Sequence, residues 1–199
     1  MMKVIISTLY EGKAVKVAIN KLSPDKIILL ADEPIDKTKE KSIKELKDFF
    51  KGILIIEILK TSVYDIAEIV EKVAKKIDEE SKEDSEIIIH ITEGRKITSL
   101  GLLFGGFLRK DKVKGAYYIT EENNTILSLP LISFSLGETK KEILKQIEKG
   151  NGAAKDLKEK LEVNQSGVYQ HLQELKKEGY ISSSDEGLRL TELGRIIIL

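Results

Sequence analysis

The residues best suited to chemistry form the segment Thr92-Glu93-Gly94-Arg95-Lys96, which directly precedes an apolar stretch over residues 97–108. A hydroxyl, a glycine and two cations at the start of a helix are suited to binding a phosphate, because the first backbone amides and the helix dipole both favour an anion. Gly94 would let the anion approach the backbone closely. A solvated loop is the alternative interpretation, but cations at a helix N-terminus are unfavourable without an anion.

A second candidate turn, residues 7–12, follows the first apolar run of the chain and contains Thr8 and Tyr10. Ligands of parallel sheets bind beyond the carboxyl ends of the strands, where the chain turns into a helix. We therefore expect a ligand site built from these two turns. Its candidate residues are Thr8, Tyr10, Thr92, Glu93, Gly94, Arg95 and Lys96.

The composition excludes several kinds of site. The chain has no cysteine, so disulfides, thiolate metal ligands and cysteine nucleophiles are ruled out. With only two histidines an imidazole metal centre is not expected, and without a G-x-G-x-x-G segment neither is a dinucleotide cofactor. His90 lies within an apolar run, and we interpret it as a buried polar residue with a partner rather than a catalytic base. We predict no catalytic residue, no metal and no cofactor.

A second set of polar residues lies in the last third of the chain, on the third of three predicted helices. Val168, Leu172 and Leu175 follow helical spacing and predict the buried face of that helix. In a helix-turn-helix, polar residues near the start of this helix contact base edges in the major groove, and nearby cations contact phosphates. The candidate base-contacting residues are Asn164, Gln165, Ser166, Tyr169 and Gln170, and the candidate phosphate contacts are Lys155, Lys158 and Arg189.

A three-helix unit that forms a plain core or binds another protein is the alternative to DNA binding. Basic and acidic residues number 33 each, so any DNA affinity must come from the local arrangement of charge. Asp185 and Glu186 in the predicted wing, and Gly167 in the predicted recognition helix, count against DNA binding. We nevertheless favour duplex DNA as the partner of this region.

Strands and helices alternate in the first two thirds of the chain. Short β-branched apolar runs predict strands that are covered on both faces, at residues 4–6, 27–31, 53–58, 87–91 and 116–119. Amphipathic segments between them predict helices at residues 15–22, 43–50 and 63–77, the last with a capping start at Ser62 and Asp65. This alternation predicts an α/β fold with a Rossmann-like, mostly parallel sheet. The polar residues 121–124 predict an antiparallel hairpin at its edge.

A domain boundary is expected between Pro130 and Glu138, which gives domains of residues 1–132 and 133–199. In the second domain, two helices, a third helix with Asn164 as its N-cap and a pair of short strands around a wing predict a small α+β winged helix-turn-helix. We see no signal peptide, and residues 97–108 are too few to cross a bilayer. We therefore expect a cytoplasmic protein without a membrane partner.

Two parts of the chain resemble known families. The closing segment Leu190-Thr191-Glu192-Leu193-Gly194-Arg195 and the helical spacing before it resemble winged-helix regulators of the ArsR and MarR type; that spacing runs through Ala154, Leu157, Leu161, Val163, Val168, Leu172, Leu175 and Gly179. The chain also has Thr8 in the turn after the first strand, Thr92, Gly94 and Lys96 in the turn after the fourth strand, then an apolar helix and a C-terminal winged helix. With these parts in this order, nearly the whole chain resembles the CARF-domain regulators of archaeal CRISPR loci.

The resemblance implies a homodimer whose two CARF domains share a cleft for a cyclic oligoadenylate, lined by Thr8, Thr92, Gly94, Arg95 and Lys96. It implies a CRISPR-associated transcription regulator whose winged helices bind duplex DNA in response to that ligand. The chain departs from the family pattern at His90, where an acidic residue is common, and at Tyr10, which replaces a small residue. Both departures leave the size and identity of the ligand open.

Two alternative functions fit the same residues. Some CARF proteins cleave their ring ligand with its own ribose hydroxyl, and Thr92, Arg95 and Lys96 could position such a ring and stabilise the developing charge. The other alternative is a generic winged-helix regulator that senses another small anion.

Overall fold

The computed structural model describes residues 1–132, 136–161, 165–184 and 187–199, apart from the side chains of Glu83, Lys155 and Gln165. Two compact units make up the chain, Met1–Ser133 and Phe134–Leu199.

The first unit alternates strands and helices, as the apolar runs predict. Its strands are β1 Met2–Thr8, β2 Lys26–Asp32, β3 Ile55–Thr61, β4 Ser85–His90, β5 Val113–Ile119 and β6 Ile126–Leu129. Its helices are α1 Lys13–Leu22, α2 Lys37–Phe49, α3 Ile66–Glu80 and α4 Lys96–Leu108, with short 3₁₀ turns at Ser81–Glu83 and Lys110–Lys112. The strands form one six-stranded sheet in the order β3-β2-β1-β4-β5-β6. All neighbouring pairs are parallel except β5 and β6, so the Rossmann-like sheet with an antiparallel edge is confirmed.

The strand order puts the two candidate turns side by side. From β1 the chain builds outward to β3 and then returns to place β4 on the other side of β1. The connections after β1 and β4 therefore leave the sheet in opposite directions, and such a switch point is where open α/β sheets bind ligands. Ser7 of β1 pairs with His90 of β4 at the carboxyl end of both strands.

Helices cover both faces of the sheet, which explains why the strands are apolar throughout. Ile5 and Ile88 pack with α1 and α2 on one face, while Ile6 and Ile89 pack with α3 and α4 on the other. These isoleucines are 0–4% exposed, and burying each contributes about 1.5–3 kcal/mol to folding.

Three glycines let α4 approach its neighbours closely. A Cβ added to Gly101 would lie 2.5 Å from Ile69 of α3, and one added to Gly105 would lie 2.4 Å from Val73 of the same helix. Gly106 meets Ile89 of β4 in the same way. The three glycines thus pack against α3 and β4 within this unit. No helix in the described ranges, α4 included, is long and apolar enough to span a membrane.

The start of α3 differs from the prediction in one detail. Asp65, not Ser62, is the N-cap, and its side chain accepts a hydrogen bond from the backbone N–H of Glu68. Ser62 lies one turn earlier, where its hydroxyl oxygen accepts from the N–H of Asp65 and its own N–H donates to the Glu68 carboxylate. The N-cap of α3 therefore lies three residues later than predicted. Serine and aspartate are both suitable N-caps, so the sequence alone did not distinguish Ser62 from Asp65.

The second unit has the elements of a winged helix-turn-helix. They are α5 Glu138–Glu148, α6 Ala154–Leu161, α7 Gln165–Lys177, β7 Ile181–Ser184, β8 Gly187–Leu190 and α8 Glu192–Ile197. The helix α8, capped by Thr191, was not expected from the sequence. The predicted N-cap Asn164, the turn before it and the wing residues Asp185 and Glu186 lie outside the described residues.

Candidate functional site

Gly94 lies against the end of β1 and brings the two turns together. Its φ is +89°, and a Cβ at this position would lie 3.2 Å from the Cβ of Thr8 and 3.4 Å from the carbonyl oxygen of Leu9. Glycine is required here both for the backbone conformation and for the close approach. Thr8 is fully buried, and its hydroxyl has no hydrogen-bond partner among the described residues.

The carboxylate of Glu93 faces the loop after β1 and the start of α1. One of its oxygens, Oε2, accepts from the backbone N–H of Tyr10 at 3.0 Å and of Gly12 at 2.7 Å. The other, Oε1, accepts from the N–H of Ala14 at 2.6 Å. Gly12 precedes α1 with a φ of +78° and makes no side-chain cap of its own, so Glu93 satisfies amides that the helix leaves unpaired.

Arg95 turns the other way, toward the carboxyl end of β2. Its Nε donates to Oδ2 of Asp32 at 2.9 Å, and the ammonium of Lys39 from α2 donates to the same oxygen. The hydroxyl of Thr98 lies 3.4 Å from the other carboxylate oxygen. We call Asp32, Lys39, Arg95 and Thr98 the Asp32 cluster. Asp32 and Lys39 were not predicted as site residues from the sequence. The one signal for them was an acidic residue, Asp32, at the end of a buried strand.

The carboxylate of Asp32 is ionised, and the Asp32 cluster is open to solvent on one side. Burial raises the pKa of Asp32, but hydrogen bonds from Lys39 and Arg95 outweigh burial, so the pKa lies below its usual value. The hydrogen bond to Asp32 raises the pKa of Arg95. Both Asp32 and Lys39 are 3% exposed, whereas Arg95 is 47% exposed. The guanidinium carbon lies 5.8 Å from the ring centre of Tyr64, another residue that was not predicted to belong to the site.

Thr92 and Lys96 flank the turn. The hydroxyl oxygen of Thr92 accepts from the N–H of Ile119 at 2.7 Å, which ties the turn to the end of β5. Lys96 is exposed at the first position of α4, a helix without a side-chain cap or an acidic residue in its first turn. Cations and unpaired amides therefore meet at this helix start.

A cleft of about 400 Å³ opens beside the turn, between α1, the β4–α4 connection and the β5–β6 hairpin. Its lining residues are Tyr10, Glu11, Lys13, Ala14, Val17, Thr92, Glu93, Ile119, Thr120, Glu121 and Asn124. Of the predicted ligand residues, the structure thus gathers Tyr10, Thr92 and Glu93 in the cleft. Thr8 lies beneath Gly94, and Arg95 lies on the far side of the turn.

His90 is buried next to this site. Its Nδ1 lies 2.8 Å from the hydroxyl oxygen of Ser7, and the proton of that hydroxyl is donated to the carbonyl oxygen of Thr8. Its Nε2 has no hydrogen-bond partner among the described residues. Only one of the two ring nitrogens therefore has the partner that we expected for this buried side chain. Burial lowers the pKa of His90 to about 4, which keeps the ring neutral. No group of three or more metal-ligating side chains occurs in the described part of the chain.

The predicted recognition helix is α7. Val168 and Leu175 are fully buried, while Ser166, Tyr169 and Gln170 are exposed as the spacing predicts. The amide of Gln170 donates to Glu174 one turn later at 3.0 Å. Lys158 on α6 and Arg189 on β8 are exposed as well. Asn164 and the side chains of Lys155 and Gln165 lie outside the described residues.

Solved structures share this fold at low sequence identity. Csm6 from Enterococcus italicus, solved with cyclic hexa-2'-fluoro-hexa-dAMP, matches 89% of the chain with a TM-score of 0.56 and 12% identity. The protein VC1899 from Vibrio cholerae matches 98% with a TM-score of 0.53 and 10% identity. The chain spans 55% and 65% of the length of these two proteins, respectively. No curated protein sequence matches the chain.

Two family models match the two units. Residues 137–183 match the ArsR family of bacterial regulatory proteins, which confirms the resemblance of the second unit. Residues 5–130 match the Csa3 CRISPR-associated Rossmann-like domain, and this match covers more than half of the chain. The chain therefore belongs to the family of the Csa3 CRISPR-associated Rossmann-like domain.

Proposed function

We propose that the protein is a CRISPR-associated DNA-binding regulator that responds to a cyclic oligoadenylate. Two copies pair, the ligand binds at the carboxyl edges of their sheets, and the winged helices bind duplex DNA. The family match of the first unit and the helix-turn-helix match of the second support both halves of this proposal.

The observation that carries the ligand half is the anchoring of Arg95. Its Nε is held by the buried carboxylate of Asp32, while nearly half of the side chain stays open to solvent at the start of α4. A guanidinium fixed on one side presents its remaining N–H groups in a defined direction, which suits a phosphate oxygen. Lys96 and the first amides of α4 add positive potential at the same place.

The cleft beside the turn provides space for the rest of the ligand. Ala14, Val17 and Ile119 give it an apolar wall, and the ring of Tyr10, 48% exposed, can stack on a nucleobase. A phosphate at the Gly94 turn would therefore place an attached base within reach of an aromatic ring. A free inorganic anion would leave this cleft unused.

Two-fold symmetry links the ligand to DNA. A ring ligand on the dyad of a homodimer would contact the Gly94 turn of both copies, and the two α7 helices would address the half-sites of a palindromic operator. If the ring prefers one relative orientation of the subunits, its binding changes the affinity of the dimer for that operator. Bound DNA then changes the affinity of the dimer for the ring by the same coupling free energy.

Isothermal titration calorimetry with cyclic tetra-adenylate and hexa-adenylate tests the ligand half. We expect Arg95→Ala to weaken binding about tenfold or more, because it removes a charge-assisted hydrogen bond. The matched control is Lys21→Ala, which removes an exposed cation from the last turn of α1. Wild-type protein that binds neither ring, or an Arg95→Ala variant that binds as wild type does, would contradict the proposal.

Fluorescence anisotropy with labelled duplex from upstream of the protein's own gene tests the DNA half. Tyr169→Ala should weaken binding about tenfold, since loss of one specific contact costs about 1–3 kcal/mol. Gln173→Ala, an exposed change one turn further along α7, should have little effect. Equal affinities of the two variants, or no binding by wild type at low salt, would refute DNA recognition by α7.

A further inference from the structure

The two turns at the switch point differ in what fills them. The start of α4 has no acidic side chain, whereas the start of α1 already holds the carboxylate of Glu93. This carboxylate comes from the other turn, about eighty residues away in sequence, and not from the loop that it fills.

The contacts of Glu93 have the geometry of a bound anion. Its two oxygens accept from the backbone amides of Tyr10, Gly12 and Ala14 at 2.6–3.0 Å, distances typical of charge-assisted hydrogen bonds. Such amides at a helix start are the donors that would otherwise bind a phosphate oxygen. Lys13 interacts electrostatically with Glu93, but its ammonium pairs with Glu11 at 2.7 Å. Glu93 is therefore held by the backbone of the first turn.

The position of Glu93 in the chain gives these contacts a second effect. Its neighbours in sequence are Thr92, bonded to β5, and Gly94, packed against Thr8. The turn that carries Arg95 and Lys96 is thus tied to β5 through Thr92 and to β1 through Gly94, while Glu93 ties it to the loop after β1 and to the start of α1.

We propose that Glu93 is a positioning residue that acts as an internal anion. It occupies the amides of the first turn, keeps phosphate groups away from them, and fixes the second turn so that Gly94, Arg95 and Lys96 form the phosphate-binding surface. This inference rests on the proposed function, and it reassigns Glu93 from contacting the ligand to holding the turn that does.

Three variants and two measurements test the proposal. Glu93→Ala empties the amides of the first turn, Glu93→Gln keeps the size but can no longer accept from all three donors, and Glu93→Asp keeps the charge on a shorter stem. Calorimetry with cyclic tetra-adenylate should show binding weakened about tenfold or more in the first two, with partial recovery in Glu93→Asp. Tighter binding by Glu93→Ala would mean that Glu93 competes with the ligand, and would overturn the proposal.

Inorganic phosphate alone provides the second measurement. If the Glu93 carboxylate stands in for an anion, millimolar phosphate should raise the melting temperature of Glu93→Ala by several degrees more than that of wild type. An equal rise in melting temperature for both proteins would overturn the proposal. In the calorimetry, wild-type affinity for cyclic tetra-adenylate in all three variants would overturn it as well. If the wild-type protein binds no oligoadenylate, the proposed function is wrong. The phosphate measurement would then still decide whether Glu93 occupies an anion site.

Discussion

The first unit contains a charged cluster at each end of its sheet, and the two are built differently. At the carboxyl end, the Asp32 cluster has a buried carboxylate and a buried lysine, yet its third charge, Arg95, is 47% exposed. At the amino end of β2 lies a second group, here called the Glu80 cluster, made of Lys26, Glu57, Lys76 and Glu80.

The Glu80 cluster keeps both of its cations largely buried, although Lys76 also pairs with the exposed Glu79 at 3.0 Å. Lys26 pairs with Glu80 at 2.7 Å and with Glu57 at 3.0 Å, and Lys76 pairs with Glu57 at 2.5 Å. Both lysines are only 14% exposed, so each cation is matched by a carboxylate and shielded from solvent. The comparison separates two uses of the same residue types. A network whose cations are all shielded supports the fold, whereas a network with one exposed cation leaves that cation available, which is the role proposed above for Arg95.

The largest effect on folding is expected at the Asp32 cluster. Asp32→Asn leaves the buried ammonium of Lys39 without its main counter-charge, because Asp36, at 3.7 Å and 43% exposed, compensates only in part. We expect the free energy of unfolding in urea to fall by about 3–5 kcal/mol. The double variant Asp32→Asn with Lys39→Met, which removes both buried charges, should recover most of this loss. A cost below about 1 kcal/mol for Asp32→Asn would contradict the buried-pair description.

The next effect concerns pH and His90 at the carboxyl end, since the Glu80 cluster contains no histidine and its Glu57, whose pKa is lowered, titrates only at the acid end of the pH range. The folded protein holds His90 neutral with a pKa of about 4, whereas the unfolded chain takes up that proton near pH 6.5. The unfolded state thus binds more protons between these values, so stability falls as the pH is lowered from about 6.5 to about 4, by about 3 kcal/mol. Urea titrations across this range measure the slope, and His90→Gln should flatten it. An unchanged slope in that variant would assign the pH dependence to other groups.

A smaller effect is expected at the amino end. Glu80→Gln removes the hydrogen bond from a charged lysine, but Lys26 and Lys76 keep their contacts with Glu57. We expect a loss of about 2 kcal/mol in the free energy of unfolding and no change in oligoadenylate affinity. A weakened ligand affinity in this variant would show that the two ends of the sheet are coupled, and would end the distinction between them.

The smallest effect on folding is expected at Tyr64. Its ring is 76% exposed and contacts Arg95, so Tyr64→Leu should cost about 0.5–1 kcal/mol. The same variant should weaken oligoadenylate binding by several-fold, because the guanidinium loses the ring that limits its motion. Tyr64→Phe keeps the aromatic face and serves as the control. Equal oligoadenylate affinities of the Leu and Phe variants would show that the aromatic ring of Tyr64 does not contribute to ligand binding.

The sequence predicted the elements better than the contacts between them. Apolar runs such as 27–31 located the strands, and Gly94 with its cations located the turn, because both are local patterns. Asp32 lies 63 residues from Arg95, and its partnership depends on β2 lying next to β1, which no local pattern states. For the same reason, Glu93 was selected as a ligand contact from its neighbours in sequence, while its hydrogen-bond donors lie about eighty residues earlier.

The glycines of α4 have a mechanical consequence. Gly101 and Gly105 place the α4 backbone directly on Ile69 and Val73, so no flexible side chain of α4 separates the two helices there. The side chains at this contact are the β-branched Ile69 and Val73 of α3, whose χ1 angles are restricted. We therefore expect a displacement at the start of α4 to be passed on to α3. The two helices are thus expected to move together on their face of the sheet, so that a change at the turn that carries Arg95 would reach α3.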